Sequence, residues 1–524
     1  MYSPTPISTA TMDLFYLISV SISVTCLKFL LLPSYQSTDF EVHRNWLAIT
    51  YSKPLSQWYT ESTSKWTLDY PPLFAWFEFA LSQFAVYFDP EMLKISSTGY
   101  ISYYTILFQR LTVNITDFVY VYAAYQWIKI MKLSKKVSNI KVRDELYHPS
   151  FILSFLFLWN PGLLIIDHMH FQYNGLLSGI FLLSIARMVQ HREVESAFWF
   201  AVLLNMKQIY LYVAPIYFVY LLRVYCMDKA GKFLPQNFMK LAGVVSLVFL
   251  FSWTPFIYLG QTKQVLSRLF PFGRGLTHAY WAPNFWALYN GLDKFLSFLL
   301  GKKSQSLTRG LVKQDNHTVL PNVPPFSTIL FCCLAMTPLL INVWRKAGKN
   351  RMNITLFTRS VVACAFVSFI FGYHVHEKAI LLAWLPLTPL ALLSVIDANI
   401  YILLSTLGTF SFFPLLIKEA ETPTKICLLI IYGMYTYQSL SKLHGLTGNN
   451  GTKNRPVHMI ELIYLTGIPV LQFLHSFGAY FSDTLARMEF LPLLLISTYC
   501  AFGMTFLFIK SYLLTLLEDT SGNI

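Results

Sequence analysis

Charge is scarce in this chain. Only 13% of its 524 residues are Asp, Glu, Lys or Arg, and acids number 26 against 40 bases. Ordinary soluble domains carry roughly twice that charged share, so a water-soluble enzyme is excluded. Cysteine is sparse and odd in number, with seven in all. Cys26, Cys332, Cys333, Cys364, Cys427 and Cys500 lie inside apolar runs, where a thiol behaves as a small hydrophobe, and no disulfide framework is expected. The chain also lacks any fixed-period repeat and any low-complexity linker that would separate soluble domains.

Apolar residues are abundant: 55% of the chain is hydrophobic and 17% aromatic. Many runs approach the roughly 20 residues that cross a bilayer as a helix, and hydropathy predicts an all-α polytopic membrane protein with about fourteen spans. The net charge of +14 is therefore read by loop placement and not as a nucleic-acid footprint; no nucleic-acid partner is expected. The first apolar run, from Leu14 to Pro33, has no basic leader or small-residue cleavage site and reads as an uncleaved span. A span predicted over 103–128 carries Arg110 and Asp117. It ends in the densest basic run, Lys129, Lys132, Lys135, Lys136, Lys141 and Arg143. The positive-inside rule places that run in the cytosol, the preceding loop on the opposite face, and both termini in the cytosol.

That preceding loop, 34–102, is too long for a connector. Trp46, Trp58, Tyr59, Trp66 and Trp76 predict short amphipathic helices at the membrane surface. Thr38 and Glu41 form a Thr-x-x-Glu capping box, which predicts a helix start with Asp39 in its first turn, where the helix dipole favours an ionised acid. The plainer reading is a surface cap. Three further polar clusters fall on the same side if the parity holds. Asp167-His168-Met169-His170-Phe171-Gln172-Tyr173-Asn174 ends one span, and His374-Val375-His376-Glu377-Lys378 ends another. Arg268 to Arg274 opens a loop spanning 261–325. Ionisable residues at membrane depth are costly, so several on one face point to function. Asp-His-x-His and His-x-His-Glu have metal-like composition, yet an i,i+2 histidine pair suits a metal only in particular geometries, so the residues alone leave a metal open.

The stretch Ser37 to Trp46, followed by Trp66-Thr67-Leu68-Asp69-Tyr70-Pro71-Pro72, resembles the first lumenal loop of the dolichyl-phosphate-glucose-dependent glucosyltransferases. These are endoplasmic reticulum enzymes of the glycosyltransferase C type. The likeness extends along most of the chain. It implies glucose transfer from dolichyl phosphate glucose to a dolichyl-diphosphate-linked oligosaccharide within the membrane, by a single inverting displacement from a β-linked donor to an α-1,3 product. Such a displacement requires a carboxylate as general base and cationic donors for the departing phosphate. The residues alone leave two candidates for the base; the resemblance assigns it to Asp39, implies no metal or other cofactor, and gives Glu41 and Asp69 to acceptor or site organisation. Arg268, Arg274, His374, His376 and Lys378 are the expected phosphate partners, while Asp167, His168, His170 and Gln172 are expected as further polar site residues. His170-Phe171-Gln172-Tyr173-Asn174-Gly175-Leu176, Lys207-Gln208-Ile209-Tyr210-Leu211-Tyr212-Val213-Ala214-Pro215 and above all Gly275-Leu276-Thr277-His278-Ala279-Tyr280-Trp281-Ala282-Pro283-Asn284-Phe285-Trp286 are similar to the branch that adds the second glucose, whose acceptor already bears one, and Tyr280 and Trp281 suit sugar faces. The sibling branch that adds the first glucose is the near alternative, and a polyprenyl-sugar transporter or a non-catalytic scaffold the distant ones. No inverted repeat supports a transporter. Asn316 is the sequon expected on the lumenal side. Residues 1–395 are expected to form the catalytic membrane module, including loops 34–102 and 261–325. Residues 396–524, plain hydrophobic helix, are expected to scaffold a lipid groove.

Overall fold

The computed structural model describes residues 9–138, 144–270, 275–278, 281–302, 317–349, 354–447, 456–481 and 490–517. Among them the all-α expectation is borne out: helix follows helix, and the only strand-like pairings are the isolated bridges Met227–Phe233 and Thr277–Val375. Seven helices are long and apolar enough to cross a membrane, namely Thr11–Leu30, Pro149–Phe171, Pro235–Tyr258, Pro325–Gly348, Val395–Leu415, Met459–Gly478 and Leu491–Leu517. The count of about fourteen expected from hydropathy draws also on shorter apolar helices, among them Asn174–Val189, Gln208–Val224 and Thr355–Phe371.

The chain divides into two compact units. The first contains Met1–Leu211 and Leu221–Phe270, and the second Tyr212–Tyr220 and Pro271–Asn523. In the first unit, α1 (Thr9–Leu30) leads into the long loop, which is folded around α2 (Thr38–Ser52) and α3 (Pro72–Ala85). Pro71 in extended backbone and Pro72 at the first position of α3 set that helix start, since the missing proline N–H is unneeded there. The loop aromatics do more than lie at a surface. Trp46, Trp58 and Tyr59 are buried, with the Trp46 indole N–H donating to the Thr67 carbonyl at 3.0 Å and the Tyr59 hydroxyl to the Tyr70 carbonyl at 2.6 Å. Leu47, Ala85, Met92, Leu93 and Phe108 form a small buried apolar cluster.

The expected capping box is replaced by a cap one residue earlier. Ser37 is the N-cap, its hydroxyl accepting from the Asp39 N–H at 3.1 Å. Glu41 does not return to the cap, because the buried Arg44 takes it: Nη2 lies 2.6 Å from Oε1, and the Tyr100 N–H donates to Oε2 at 3.2 Å. Arg44 in turn donates to the carbonyls of Met92 and Lys94, which explains how a guanidinium is tolerated in the interior. Asp39 and Glu41 still occupy the first turn. The span predicted over 103–128 is divided at Asp117 into α4 (Tyr103–Thr116) and α5 (Phe118–Leu133). There the Asp117 side chain is drawn sideways to Lys28 at 2.6 Å and His168 at 2.9 Å.

In the second unit, Ile354–Phe371 runs into the turn 372–376, then into Leu381–Leu390 and Val395–Ser411. Arg359 clasps Asp397 with Nε 3.2 Å from each carboxylate oxygen, joining two helices through a buried pair. Near the carboxyl end, Lys510 lies 3.1 Å from Glu461, and Asn399 donates to the same carboxylate at 2.6 Å. All seven cysteines are free.

Candidate active site

The polar site of the first unit is built where the start of α2 meets the end of a π-helical segment, Leu164–Phe171. π-Helical turns are rare and concentrate at functional sites. The segment is held from outside. Arg110 donates to the carbonyls of Tyr35 and Met169, each at 2.9 Å, and also to that of His168. The Ser37 hydroxyl donates to the His170 carbonyl. The segment ends at Phe171 with φ of +88°, a conformation that a bulky side chain adopts only under constraint. The constraint is visible: the buried Phe171 ring packs edge-on against Phe40 at 5.1 Å, His43 at 5.5 Å and Tyr173 at 5.6 Å.

This turn delivers two side chains to Asp39. Gln172 Nε2 donates to Asp39 Oδ2 at 2.5 Å, and His170 Nε2 lies 3.2 Å from the same oxygen. Gln172 Oε1 accepts from Asn174 Nδ2 at 2.8 Å, and the same Nδ2 donates to Asp167 Oδ1 at 2.8 Å. Asn174 Oδ1 accepts from Lys207 at 3.1 Å. Asp167 is buried and also receives the Gly175 N–H at 2.5 Å. Asp69 belongs to the same environment. The Tyr70 phenol beside it is pushed well above its ordinary pKa by desolvation, with the carboxylates of Asp69 and then Asp39 adding to the effect. Lys207 stands 5.1 Å over the Tyr70 ring. The Asp69 turn is fastened by Gln208 Nε2, which donates to the carbonyls of Asp69 at 3.2 Å and Leu269 at 3.3 Å. Arg268 ends the short helix Thr262–Leu269, and its Nε donates to the Tyr59 carbonyl at 3.2 Å.

Of the residues expected from sequence, Asp39, His170, Gln172 and Asp167 are therefore joined in one network, with Asp69 close enough to act on a shared tyrosine. His168 belongs to a different cluster, the buried Lys28–Asp117 pair. Glu41 serves Arg44. Reading from sequence did not assign Asn174, Lys207 or Tyr70 to the site. Asn174 and Lys207 lie in the motifs that carry the family likeness, which was the signal available.

The second unit presents the histidine turn. His374 has φ of +52°, its N–H donates to the Leu276 carbonyl at 2.8 Å, and its Nδ1 meets the Gly275 carbonyl at 2.8 Å. A carbonyl only accepts, so Nδ1 carries a proton. The Thr277–Val375 bridge continues this pairing. His278 and His376 have ring centroids 4.4 Å apart, and donor atoms of His278, His376 and Glu377 all lie within 4.8 Å of one another. Glu377 and Lys378 are buried. Two imidazoles and a carboxylate are a set that a divalent transition metal accepts, while the adjacent buried lysine disfavours a cation and suits an anion. Downstream, Trp286 Nε1 donates to the Gly372 carbonyl at 2.9 Å, and Ser497 from the last long helix donates to the Trp281 carbonyl at 2.9 Å. Arg274, Tyr280 and Asn316 lie outside the described residues.

Fold and site together define a multi-pass, all-helical membrane protein with a carboxylate-centred polar site. The model of the ALG6, ALG8 glycosyltransferase family matches residues 24–511, and the chain belongs to that family. Curated relatives span nearly its whole length. A Bos taurus protein named dolichyl pyrophosphate Glc1Man9GlcNAc2 alpha-1,3-glucosyltransferase is 47% identical over 523 residues, covering 96% of each chain. The Mus musculus protein of the same name is 48% identical over 513 residues, covering 94% of each. A Drosophila melanogaster protein, named as the probable enzyme, is 45% identical over 502 residues, covering 94% of this chain and 93% of its own.

Proposed function

We propose that this chain is an α-1,3-glucosyltransferase of the endoplasmic reticulum membrane that adds the second glucose to a dolichyl-diphosphate-linked oligosaccharide already carrying one. The names of its relatives support the acceptor and the linkage. The family likeness supports dolichyl phosphate glucose as donor and a lumenal site, and the placement of the basic runs supports both termini being cytosolic. Asp39 is the general base. The acceptor hydroxyl oxygen attacks the anomeric carbon, its proton passes to Asp39, and the carbon–oxygen bond to phosphate breaks with its electron pair leaving on dolichyl phosphate. One displacement inverts the centre and needs no covalent intermediate on the protein. The single observation that carries the assignment is the Asp39 carboxylate at the first turn of α2, with Gln172 Nε2 at 2.5 Å and His170 Nε2 at 3.2 Å from one oxygen. Asp69 organises the acceptor side. His374, His376 and Lys378 are assigned to the donor phosphate, with Arg268 and Arg274 as further cations and Tyr280 and Trp281 as sugar-facing aromatics. Residues 1–395 are the catalytic module, and 396–524 the scaffold that supports it.

The test is glucose transfer by the purified full-length protein from dolichyl phosphate glucose to unglucosylated and monoglucosylated acceptors offered separately, with and without chelator. Transfer to the monoglucosylated acceptor alone, surviving chelation, is expected. Transfer to the unglucosylated acceptor would move the chain to the sibling activity, and loss on chelation would reassign His278, His376 and Glu377 to a metal.

A further inference from the structure

The hydrogen bonds behind Asp39 have a direction that is set from both ends. Lys207 can only donate, so the Asn174 atom facing it at 3.1 Å is the oxygen. Asn174 Nδ2 is then the donor, and its two partners at 2.8 Å, Asp167 Oδ1 and Gln172 Oε1, are both acceptors. With its oxygen committed to Asn174, Gln172 presents only its Nε2 to Asp39, at 2.5 Å. The far end closes the argument, because an ionised carboxylate accepts only. Reversing either amide would set oxygen against oxygen, or nitrogen against an ammonium. Burial makes such a mismatch costly: Asn174 is 7% and Gln172 8% exposed. The turn between the two amides and Asp39 is further fixed by the strained Phe171 backbone and the Arg110 clamp on the carbonyls before it.

We propose that Lys207, Asn174 and Gln172 form a one-way hydrogen-bond relay that aims the Asp39 carboxylate at the acceptor hydroxyl and holds it ionised. They are positioning residues, and this inference rests on the reading of Asp39 as the general base. Lys207 fixes the polarity of the relay from 3.1 Å behind Asn174. Charged and titratable groups around the carboxylate include His170 at 3.2 Å, Tyr70, which feels both Asp69 and Asp39, and Asp167 and Lys207 behind the amides. Among these, the relay contributes the charge-assisted hydrogen bond from Gln172, which stabilises the charged form and so lowers the pH at which the base becomes active.

The experiment compares full-length wild type with Gln172→Met, Lys207→Met and Lys207→Arg. It follows kcat, KM for donor and acceptor, the pH profile of kcat/KM, and thermal unfolding in detergent. Gln172→Met keeps length and removes the donor; its kcat should fall about 30-fold with KM nearly unchanged, and the acid limb should move up by about one pH unit. Lys207→Met should shift the same limb in the same direction by less, and Lys207→Arg, which keeps a donor-only group, should restore the wild-type profile. A structural role would lower the melting temperature or raise KM without moving the limb. Wild-type kcat and pH profile in Gln172→Met would overturn the relay, as would equal losses in the two Lys207 variants. The two readings separate through Asp39→Asn: an active Asp39→Asn sinks the base assignment, whereas an inactive one beside fully active Gln172→Met and Lys207→Met sinks the relay alone.

Discussion

The two units build their polar sites by different means. In the first, side chains position side chains: a carboxylate is held by an amide, the amide by a second amide, and that by an ammonium. In the second, the backbone does the positioning. His374 is pinned through its own N–H and Nδ1 to two carbonyls of the 275–278 segment, and the Thr277–Val375 bridge extends the pairing. A site made of side-chain hydrogen bonds is sensitive to the identity of every member. One made of backbone pairing tolerates changes of side chain but not of chain path. The contrast fits the proposed tasks. A general base needs aim to within fractions of an ångström, while a phosphate carrying spread charge accepts several donor arrangements.

The strongest way to break this comparison is Asp39→Asn. The amide keeps shape and a possible bond to Gln172 but cannot take the proton, so kcat should fall by about 10³-fold or more while donor KM changes little. His376→Gln should cost less in kcat and more in donor KM, since phosphate attraction would be shared with Lys378 and His374. Steady-state kinetics on both substrates measures each split. Equal effects from the two variants would erase the distinction between an aimed site and a tolerant one.

A second pair of substitutions tests backbone approach in each unit. A methyl on Gly175 would lie 1.9 Å from Asp117 Oδ1, and that carboxylate has nowhere to go because Lys28 at 2.6 Å and His168 at 2.9 Å hold it. A methyl on Gly372 would lie 2.4 Å from the Ser368 carbonyl and 2.7 Å from Val375 Cγ2, at the entrance to the histidine turn. Each Gly→Ala change should destabilise its unit by about 2–3 kcal/mol through forced displacement. Gly175→Ala should depress kcat by disturbing the relay start beside it, and Gly372→Ala should raise donor KM. Thermal unfolding with kinetics on the same preparations separates these outcomes.

Much of this was legible beforehand, for reasons that the residues make plain. Helical class follows from apolar runs whose length is fixed by bilayer thickness, and the helix at Thr38 from a first turn rich in cap and acid residues. His170 and Gln172 stood out because polar side chains at the end of an apolar span are expensive, and Asp39 because it falls in the first turn of the helix start that carries the family likeness. What was not legible depended on chain path. Whether Glu41 returns to a cap or goes to Arg44 is decided by the carbonyls of Met92 and Lys94, about fifty residues away, that make burial of Arg44 tolerable. Lys207 stood only within a stretch that carries the family likeness, and only folding sets it behind Asn174. Local patterns identify which groups require partners; the partners come from the tertiary fold.

The smallest expected effect lies at the edge of the first unit, and it tests whether charge matters away from the site. Glu61 accepts from the Thr63 N–H at 2.7 Å and pairs with Lys53 at 3.2 Å. The hydrogen bonds from Thr63, more than Lys53, draw its pKa from 4.5 down to about 2. A depressed folded-state value means that the unfolded chain binds the proton more readily. The contribution to stability is therefore complete above pH 4.5 and is lost as pH falls toward 2. Because Glu61 is partly exposed and its lysine partner solvated, Glu61→Gln should lower stability by no more than about 1 kcal/mol at neutral pH. The difference from wild type should stay flat above pH 5, shrink below 4.5, and leave kcat unchanged throughout. Thermal unfolding of both proteins across that range reads the slope. A change in kcat would mean that the loop carrying Glu61 transmits strain to the Asp69 turn, and that the site in the first unit reaches further than its hydrogen bonds.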